Sequence, residues 1–387
     1  MTEPAITGFL RPDGRVGLRN HLLVLAVNGL SVPTGRRIAA MVHPSIAIGM
    51  PYGSGLLGHD RAVHQAALEA MAGHPNVGAV LVVGADPPKV AAVGEAAAFA
   101  GKRVEAIALD DCDHDALVMT DRGVRAAAAM LKAISDDRRV PVPLSSLSLG
   151  LECGRSDPSS GLVANPLVGR IADLVVGAGG TAMIGETTEW LGAEHLLARR
   201  AATPEVARAI LDAARARETL AVGNGLDLTG NNPSRTNIDA GLSSIEEKSL
   251  GAVAKSGSGP IAGLIGYGAR PPGAGLWVMD APAYAPESIT GFALAQANLC
   301  LFTTGVGNSY TSALMPTIKL TGNSRTADRL HEQLDFEAGD VFRGRERIEH
   351  AADRLMATIA RIASGSLTWG EILGDHDEVV SRFGPAL

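Results

Sequence analysis

The stretch VGAVLVV, at residues 77–83, decides the fold class of this chain. A short valine-rich run bounded by glycine and proline is typical of a strand that is buried on both faces of a parallel sheet. The run HLLVLAV at 21–27 has the same character. Further strands are predicted at 45–50 and 104–109, and helical spacing fills the intervals at 32–42, 60–72, 88–100 and 121–135. This alternation predicts an α/β fold with a Rossmann-like parallel sheet.

A second α/β unit follows the segment DDRRVPVPLSS at 136–146, which is charged and then rich in proline and serine, as domain boundaries often are. We predict a Rossmann-like domain at 1–140 and a larger catalytic α/β domain at 141–387. In the second domain a long polar loop is predicted at 222–241. Its strands are predicted at 147–151, 181–184, 276–279 and 299–303, and its helices at 163–177, 204–219 and 344–363.

Composition narrows the class of protein. The net charge is −7, with acidic and basic residues interleaved, so no basic surface for nucleic acid or an anionic membrane is indicated. Three scattered cysteines do not suggest a disulfide framework. We find neither an apolar leader at the N-terminus nor a run of membrane-spanning length, and we expect a cytoplasmic protein.

Polar residues follow the first strand of the second domain, in the segment LECGRSDPSSGLVANP at 151–166. The thiolate of Cys153 is a candidate metal ligand. Ser156, Asp157 and Asn165 lead into the next predicted helix, whose N-terminus attracts a substrate carboxylate through free N–H groups and partial positive charge. An alternative stays open, in which Cys153 is a buried inert residue and serines of the segment cap the helix.

A carboxylate, Glu186, comes directly after the strand predicted at 181–184. Strand ends of a parallel sheet are common positions for catalytic or metal-binding side chains, so Glu186 is a candidate for both roles. His195 lies on the following turn or helix and is a candidate for acid–base chemistry. A structural role for this single histidine is the open alternative.

Further polar residues lie in the segments FTTGVGNS at 302–309 and MPTIKLTGNSRT at 315–326. Lys319 is placed on a strand as a charge partner or base. The residues suited to holding a polyoxygenated anion are Thr303, Thr304, Asn308 and Asn323. The string IEEKSLG at 245–251, taken alone, predicts a solvated helix face.

Arg19 and Asn20 lie directly before the first strand. By spacing alone they are a surface ion-pair residue and a turn cap. They also belong to the first of six segments that together resemble the altronate/galactarate dehydratase family. In family order, from about Gly8 to about Asp340, these are GFLRPDGRVGLRN, LECGRSDPSSGLVANP, GETTEWLGAEHLLARR, GLSSIEEKSLGAVAKSG, GLWVMDAPAYAPESITG and FTTGVGNSYTSALMPTIKLTGNSRT.

The resemblance implies a lyase that removes a β-substituent from a 2-hydroxycarboxylate with help from a divalent metal, iron or manganese, with magnesium as an alternative. A metal of this kind acts as a Lewis acid, and a base removes the α-proton to give an enol and then a 2-keto acid. Because Arg19 belongs to a family segment, we expect its guanidinium to grip the substrate carboxylate through two hydrogen bonds, with Asn20 beside it. We expect Cys153 and Glu186 to approach the metal in a cleft between the domains.

Two departures from the family pattern bear on the prediction. Dehydratases of this family usually begin with a small β-rich domain, for which we see no room here, so we expect a small β-rich partner subunit, as in the two-subunit sulfolactate sulfo-lyases. The dehydratases also tend to carry cysteine, histidine and glutamate at positions that are Tyr52, Leu56, Pro87 and Pro88 here. A site built on several thiolates is therefore not expected, and Cys153 alone remains.

Three functions stay open. The first is a hydro-lyase for a sugar acid or related small hydroxycarboxylate. The second is the large subunit of a carbon–sulfur lyase that releases sulfite from a sulfonated hydroxy acid such as sulfolactate. The third is a non-catalytic acid-binding subunit. A homo-oligomer is expected in each case.

Overall fold

The computed structural model describes residues 5–228, 232–385 and 387. The chain forms two compact units. The smaller unit comprises Thr7–Pro141, Ala313–Met315 and Asp377–Leu387, and the larger comprises Val142–Ser312 and Pro316–His376 together with the N-terminal segment that ends at Ile6. The sequence placed a boundary after residue 140, but it did not indicate that the chain returns to the smaller unit twice.

The smaller unit contains a four-stranded parallel sheet in the order β4-β3-β5-β6. Its two central strands, β3 and β5, are the two apolar runs of the sequence, and nearly all their residues are buried. Its elements are β1 (Ile6–Leu10), β2 (Val16–Gly17), β3 (His21–Ala26), α1 (Val32–Met41), β4 (Ile46–Gly49), α2 (Gly58–Ala72), β5 (Val77–Gly84), α3 (Pro87–Phe99), β6 (Arg103–Ala108), α4 (Ala116–Ile134) and β7 (Val140–Val142). This confirms the predicted Rossmann-like sheet.

The larger unit contains a seven-stranded parallel sheet in the order β10-β11-β9-β8-β12-β14-β15. The seven strands are β8 (Ser148–Cys153), β9 (Thr181–Ile184), β10 (Ile261–Ile265), β11 (Gly275–Met279), β12 (Leu299–Thr303), β14 (Thr317–Thr321) and β15 (Phe336–Glu337). A separate two-stranded sheet pairs β13 (Thr311–Ser312) with β16 (His376–Asp377). The strands that follow β8 (β9, β10 and β11) lie towards one edge of the seven-stranded sheet, and β12, β14 and β15 lie towards the other edge. Ligands of such sheets bind beyond the carboxyl ends of the strands, near the point where the order reverses.

The helices of the larger unit are α5 (Asn165–Gly177), α6 (Glu194–Ala198), α7 (Pro204–Gly223), α8 (Arg235–Asp239), α9 (Ile245–Val253), α10 (Ala285–Leu294), α11 (Ser324–Arg329), α12 (Gly339–Phe342), α13 (Ile348–Ala363) and α14 (Trp369–Leu373). A single π-helical turn, Ser160–Ala164, leads directly into α5. No helix of the described part of the chain is both long and apolar enough to cross a membrane.

Several element bounds differ from the prediction for local reasons. Helix α4 begins at Ala116, earlier than expected, because the Asp115 side chain caps it by accepting hydrogen bonds from Leu117 N and Val118 N. The predicted polar loop at 222–241 is shorter than expected, because α7 continues to Gly223 and α8 lies inside the range. Residues 229–231 of that loop lie outside the described residues.

Candidate active site and metal centre

The carboxyl ends of two neighbouring strands bring the predicted site residues together. Strands β8 and β9 run parallel with Leu151 opposite Ile184. Glu152 and Cys153 therefore end one strand at the edge of the sheet where Glu186 follows the other. All three side chains are buried. The sheet register thus places two residues predicted from the sequence, Cys153 and Glu186, at one edge within the larger unit.

The backbone of Glu186 adopts an unusual conformation. Its φ is 56°, in the left-handed region that residues other than glycine seldom occupy. Hydrogen bonds on both sides hold this turn: Trp190 Nε1 donates to Gly185 O at 3.0 Å, and Thr187 N donates to Ala281 O at 3.0 Å. Strained backbone of this kind persists where surrounding contacts over-determine it and often marks functional sites.

Four acidic or thiol side chains form a buried cluster, which we call the carboxylate–thiol cluster: Glu152, Cys153, Glu186 and Glu189. One ligand atom from each lies within 4.8 Å of all the others. The Cys153 thiol donates to Glu189 Oε2 at 3.1 Å, and Cys153 N donates to Glu152 Oε1 at 2.9 Å. Glu189 enters the cluster from the short 3-10 turn Thr187–Trp190.

Two buried lysines, from α9 and the turn after it, balance the charge of the cluster. The Lys248 ammonium forms an ion pair with Glu189 Oε1. Lys255, only 1% exposed, donates to Cys153 Sγ and to Glu189 Oε2 at 3.1 Å each. The Lys255 ammonium also lies 3.5 Å from Glu152 Oε1. Buried charges of this kind require such pairing.

Burial and neighbouring charges shift the pKa values of the acidic and thiol groups in the cluster. Burial raises the pKa of Glu186 well above its usual range, and the neighbouring Glu152 and Glu189 raise it further. Burial would also raise the pKa of Glu189, but Lys248 and Lys255 outweigh it and hold that pKa below its usual range. Burial, reinforced by Glu189, raises the pKa of the Cys153 thiol to about 11. Burial raises the pKa of Glu152 as well, against the opposing effect of the Lys255 ammonium.

The cluster fits a divalent cation. Glu152 Oε2 and Glu186 Oε2 are buried and have no hydrogen-bond partner among the described residues. Carboxylates suit Mg²⁺ and Mn²⁺, and a thiolate added to them suits iron. Orphaned carboxylate oxygens in a buried site cost free energy unless a ligand satisfies them. The donor set and its two open oxygens therefore fit the metal that the sequence led us to expect.

Other predicted substrate residues of the larger unit bond to one another. Asp157 Oδ1 accepts from Ser159 Oγ at 2.6 Å and from Ser160 N at 3.1 Å, and its Oδ2 accepts from Asn323 Nδ2 at 2.8 Å. The sequence predicted that the N–H groups at the start of the helix that follows Asp157 bind a substrate carboxylate. One of them, Ser160 N, is instead engaged by the Asp157 side chain. Ser156 lies beside Asp157, with its Oγ buried and unpartnered within the described chain.

Asn165 lies at the junction of the π-helical turn with α5. Its Oδ1 accepts from Thr303 Oγ1 at 2.6 Å, and its Nδ2 donates to Gly251 O at 2.9 Å. Both ends of the Asn165 amide are therefore engaged within the protein. Thr303 also lies opposite Cys153 in the sheet, so this pair connects β12 to the strand that carries the cluster.

The residues around the glycine-rich turn that were predicted to bind an anion form hydrogen bonds to the backbone of the turn itself. Thr304 Oγ1 accepts from Gly307 N at 3.0 Å, and Asn308 Oδ1 accepts from Tyr310 N at 3.1 Å. The Lys319 ammonium donates to Ser309 O at 3.0 Å, and burial lowers its pKa. These contacts stabilise the turn, and the buried cluster does not include any of the three side chains.

His195 is exposed on the short helix α6 and is not part of the cluster. In the smaller unit, Arg19 is buried rather than on the surface, and its Nη1 donates to Leu18 O at 2.8 Å. Asn20 accepts from Arg11 Nη1 at 2.8 Å and donates to Asp137 Oδ2 at 3.0 Å. The catalytic and substrate-binding roles of His195, Arg19 and Asn20 stay predictions.

Two family models match the chain, each over most of one unit. Residues 144–386 match the model described as D-galactarate/altronate dehydratase, C-terminal, and residues 8–135 match D-galactarate dehydratase/altronate hydrolase, second domain. This chain belongs to the D-galactarate/altronate dehydratase family. The predicted resemblance is thereby confirmed, and the chain is a lyase-type enzyme.

Individual members of the family share about a third of their residues with this chain. It is 34% identical to (2R)-sulfolactate sulfo-lyase subunit beta of Chromohalobacter salexigens, over 97% of this chain and 96% of that protein. It is 30% identical to altronate dehydratase of Escherichia coli over 94% of this chain and 74% of that enzyme. Altronate dehydratase of Bacillus subtilis is 31% identical over 93% and 74%.

Four residues that lie in or beside the cluster were not identified from the sequence: Glu152, Glu189, Lys248 and Lys255. The solvated helix face predicted at 245–251 is wrong at Lys248, which is 8% exposed, although Glu246 and Glu247 are exposed. One signal was available, because Lys248 and Lys255 are seven residues apart and therefore near the same side of a helix. Glu189 likewise follows Glu186 by three residues, about one helical turn.

Proposed function

We propose that this chain catalyses metal-assisted removal of a β-substituent from a small 2-hydroxycarboxylate, giving a 2-keto acid. The observation that carries the proposal is the buried carboxylate–thiol cluster, whose four ligand atoms lie within 4.8 Å of one another at the carboxyl edge of a parallel sheet. Among the described residues this is the one group of three or more His, Cys, Asp or Glu side chains whose ligand atoms lie this close together. Two carboxylate oxygens of the cluster, Glu152 Oε2 and Glu186 Oε2, also have no hydrogen-bond partner among the described residues.

Glu152, Cys153 and Glu189 would hold the metal, and Glu186, a candidate for both metal binding and catalysis, is assigned the catalytic role here. Three protein ligands leave coordination positions open for a substrate, as catalytic metal sites require. When bound, a divalent cation supplies a Lewis acid that stabilises the negative charge of an enolate.

Glu186 has the proton-accepting role in this proposal, because Lys248 and Lys255 form ion pairs with Glu152 and Glu189 but, among the described residues, not with Glu186. The held, left-handed backbone of Glu186 fixes where its carboxylate lies. Lys248 and Lys255 orient Glu189 and Cys153 and keep their side chains in place by direct contact. The burial of the whole cluster excludes bulk water, which strengthens each of these interactions.

The leaving group distinguishes two candidate reactions. Loss of water corresponds to the dehydratases of the family. Loss of sulfite is favoured as the second candidate by one observation: the chain matches the sulfo-lyase beta subunit over 96% of that protein's length, against 74% for the altronate dehydratases. Incubation with altronate, galactarate and sulfolactate separates the two, since 2-keto acid forms in both reactions and sulfite in only one.

We also propose a partner subunit, since the Chromohalobacter relative is named as a beta subunit. Size-exclusion chromatography of the chain alone and after co-expression with its genomic neighbours tests this. Turnover by the isolated chain at the full rate of the mixture would exclude a required partner.

Metal removal should abolish turnover. We expect the purified chain to contain about one divalent ion, because the cluster offers a single set of donors. Dialysis against a chelator should remove the ion, abolish activity and lower the melting temperature, since a ligand that binds only the folded state stabilises it. Elemental analysis, calorimetry and activity after adding back Fe²⁺, Mn²⁺ or Mg²⁺ measure each step. Full activity in a metal-free preparation would refute the proposed function.

A further inference from the structure

A pocket of about 290 Å³ lies in the larger unit beside the cluster. One wall is the π-helical turn Ser160–Ala164, and the opposite wall is α9. These walls approach each other closely at Gly161 and Gly251, where a Cβ on Gly251 would lie 3.0 Å from Gly161 Cα. A π-helical turn is rare and is frequently found at functional sites.

The pocket and the cluster share a side chain. Lys248 lines the pocket, and its ammonium forms the ion pair with Glu189 of the cluster. An ammonium group has three N–H donors, and among the described residues it donates only to Glu189. Lys248 therefore has spare donors for an anionic oxygen of a molecule that occupies the pocket.

Ser156 is the second polar residue with spare capacity. It lines the pocket and is 6% exposed, and its Oγ has no partner among the described residues. A buried hydroxyl without a partner is unfavourable, and a ligand oxygen in the pocket would satisfy it.

The other polar residues of the lining are already engaged. The Asp157 carboxylate accepts hydrogen bonds from two serines and from Asn323. Both ends of the Asn165 amide are used, and the Glu247 carboxylate accepts from Ser243 N and Oγ. Much of the remaining lining is apolar: Pro158, Leu162, Leu242 and Leu250.

We propose that this pocket binds the substrate and that Ser156 and Lys248 restrict it to short hydroxycarboxylates of about three or four carbons, rather than six-carbon sugar acids. The proposal rests on the proposed function and specifies its substrate class. A six-carbon sugar acid carries more hydroxyl groups than Ser156 and Lys248 can pair, and those that lie against the apolar walls would find no protein partner. A short acid presents one carboxylate, one hydroxyl and one β-substituent, which two free polar residues and the neighbouring cluster can satisfy.

The test uses the metal-loaded full chain and two probes of each class: sulfolactate and malate as short acids, and altronate and galactarate as sugar acids. Calorimetric binding and kcat/KM should favour the short acids by at least about tenfold, the effect of one missing hydrogen bond.

Ser156→Ala should weaken short-acid binding by about tenfold, and Lys248→Met by about 100-fold, because the hydrogen bond that Lys248 donates involves charged groups. Lys248→Arg keeps the charge and should restore part of the loss. Glu246→Gln, on the exposed side of α9, is the matched control and should bind as wild type.

Equal or tighter binding of the sugar acids by the wild type would overturn the proposal, as would unchanged short-acid binding by Ser156→Ala and Lys248→Met. Two measurements separate failure of the pocket proposal from failure of the proposed function. One is elemental analysis of bound metal, and the other is short-acid binding by protein from which a chelator has removed the metal. Absence of metal, together with short-acid binding that depends on Ser156, would refute the metal role while supporting the pocket. A metal-loaded active enzyme whose selectivity ignores both residues would refute the pocket alone.

Discussion

Glu186→Gln is expected to lower kcat by about 10²–10⁴ while leaving the fold at least as stable as the wild type. The loss is the contribution typical of a positioned proton acceptor. Stability should hold because glutamine has nearly the same shape and removes a carboxylate that lies buried beside Glu152 and Glu189 with Oε2 unpartnered in the described structure. Steady-state kinetics and scanning calorimetry measure the two effects separately.

The pH dependence of stability gives a further readout of the same change. The pKa of Glu186 is raised well above its usual 4.5, chiefly by burial. A raised folded-state pKa means that the protonated carboxyl contributes stability below pH 4.5 and that this stability is lost as the pH rises through the folded value. Metal-free wild type should therefore lose stability as the pH rises above about 4.5, and Glu186→Gln should lose less of it.

Glu194→Gln is the matched control, because Glu194 also has a buried Oε2 without a described partner but lies outside the cluster. It should keep wild-type turnover. If Glu186→Gln retained wild-type turnover, or unfolded at a much lower temperature than the wild type, the role assigned to Glu186 would be wrong.

Lys255→Met should destabilise the metal-free protein by about 3–5 kcal/mol, more than any single change in the carboxylate–thiol cluster that Lys255 contacts. The Lys255 ammonium, 1% exposed, contacts Cys153 Sγ and Glu189 Oε2 at 3.1 Å and lies 3.5 Å from Glu152 Oε1. Removing it leaves buried negative charge without its closest counter-ion. Urea unfolding of the metal-free proteins measures the difference.

A bound cation and a second substitution should each restore part of the stability that Lys255→Met loses. A divalent cation such as Mn²⁺ supplies positive charge to the same donors, so it should raise the melting temperature of this variant more than that of the wild type. A second change, Glu189→Gln, removes one of the carboxylates that Lys255 contacts and should restore part of the stability. The exposed Lys132→Met is the control and should change stability little. Equal stability of Lys255→Met and wild type would mean that Lys255 does not neutralise the cluster.

The sequence by itself determined the fold class and the alternation of strands and helices around the four-stranded sheet of the smaller unit. The buried strands β3, β5 and β12 are short apolar runs, and a run of this kind carries its structural preference locally. Strand ends are equally local features, and for this reason Cys153 and Glu186 were recognised as candidates. The family segments fixed the class of enzyme, because their order along the chain is preserved from Gly8 onward.

Only the tertiary structure decided which polar residues share a site. Lys248 and Lys255 meet Glu189 across 59 and 66 residues of chain. Their seven-residue spacing indicates a shared side of a helix, but it does not indicate that this side is buried. The same long-range packing leaves His195 exposed and engages Asn165 and Thr303 with each other. The physical reason is that burial and hydrogen-bond satisfaction depend on which elements pack together. The parallel pairing of β8 with β9, and the position of α9 beside them, thus determine which carboxylates are neutralised and which oxygens remain open.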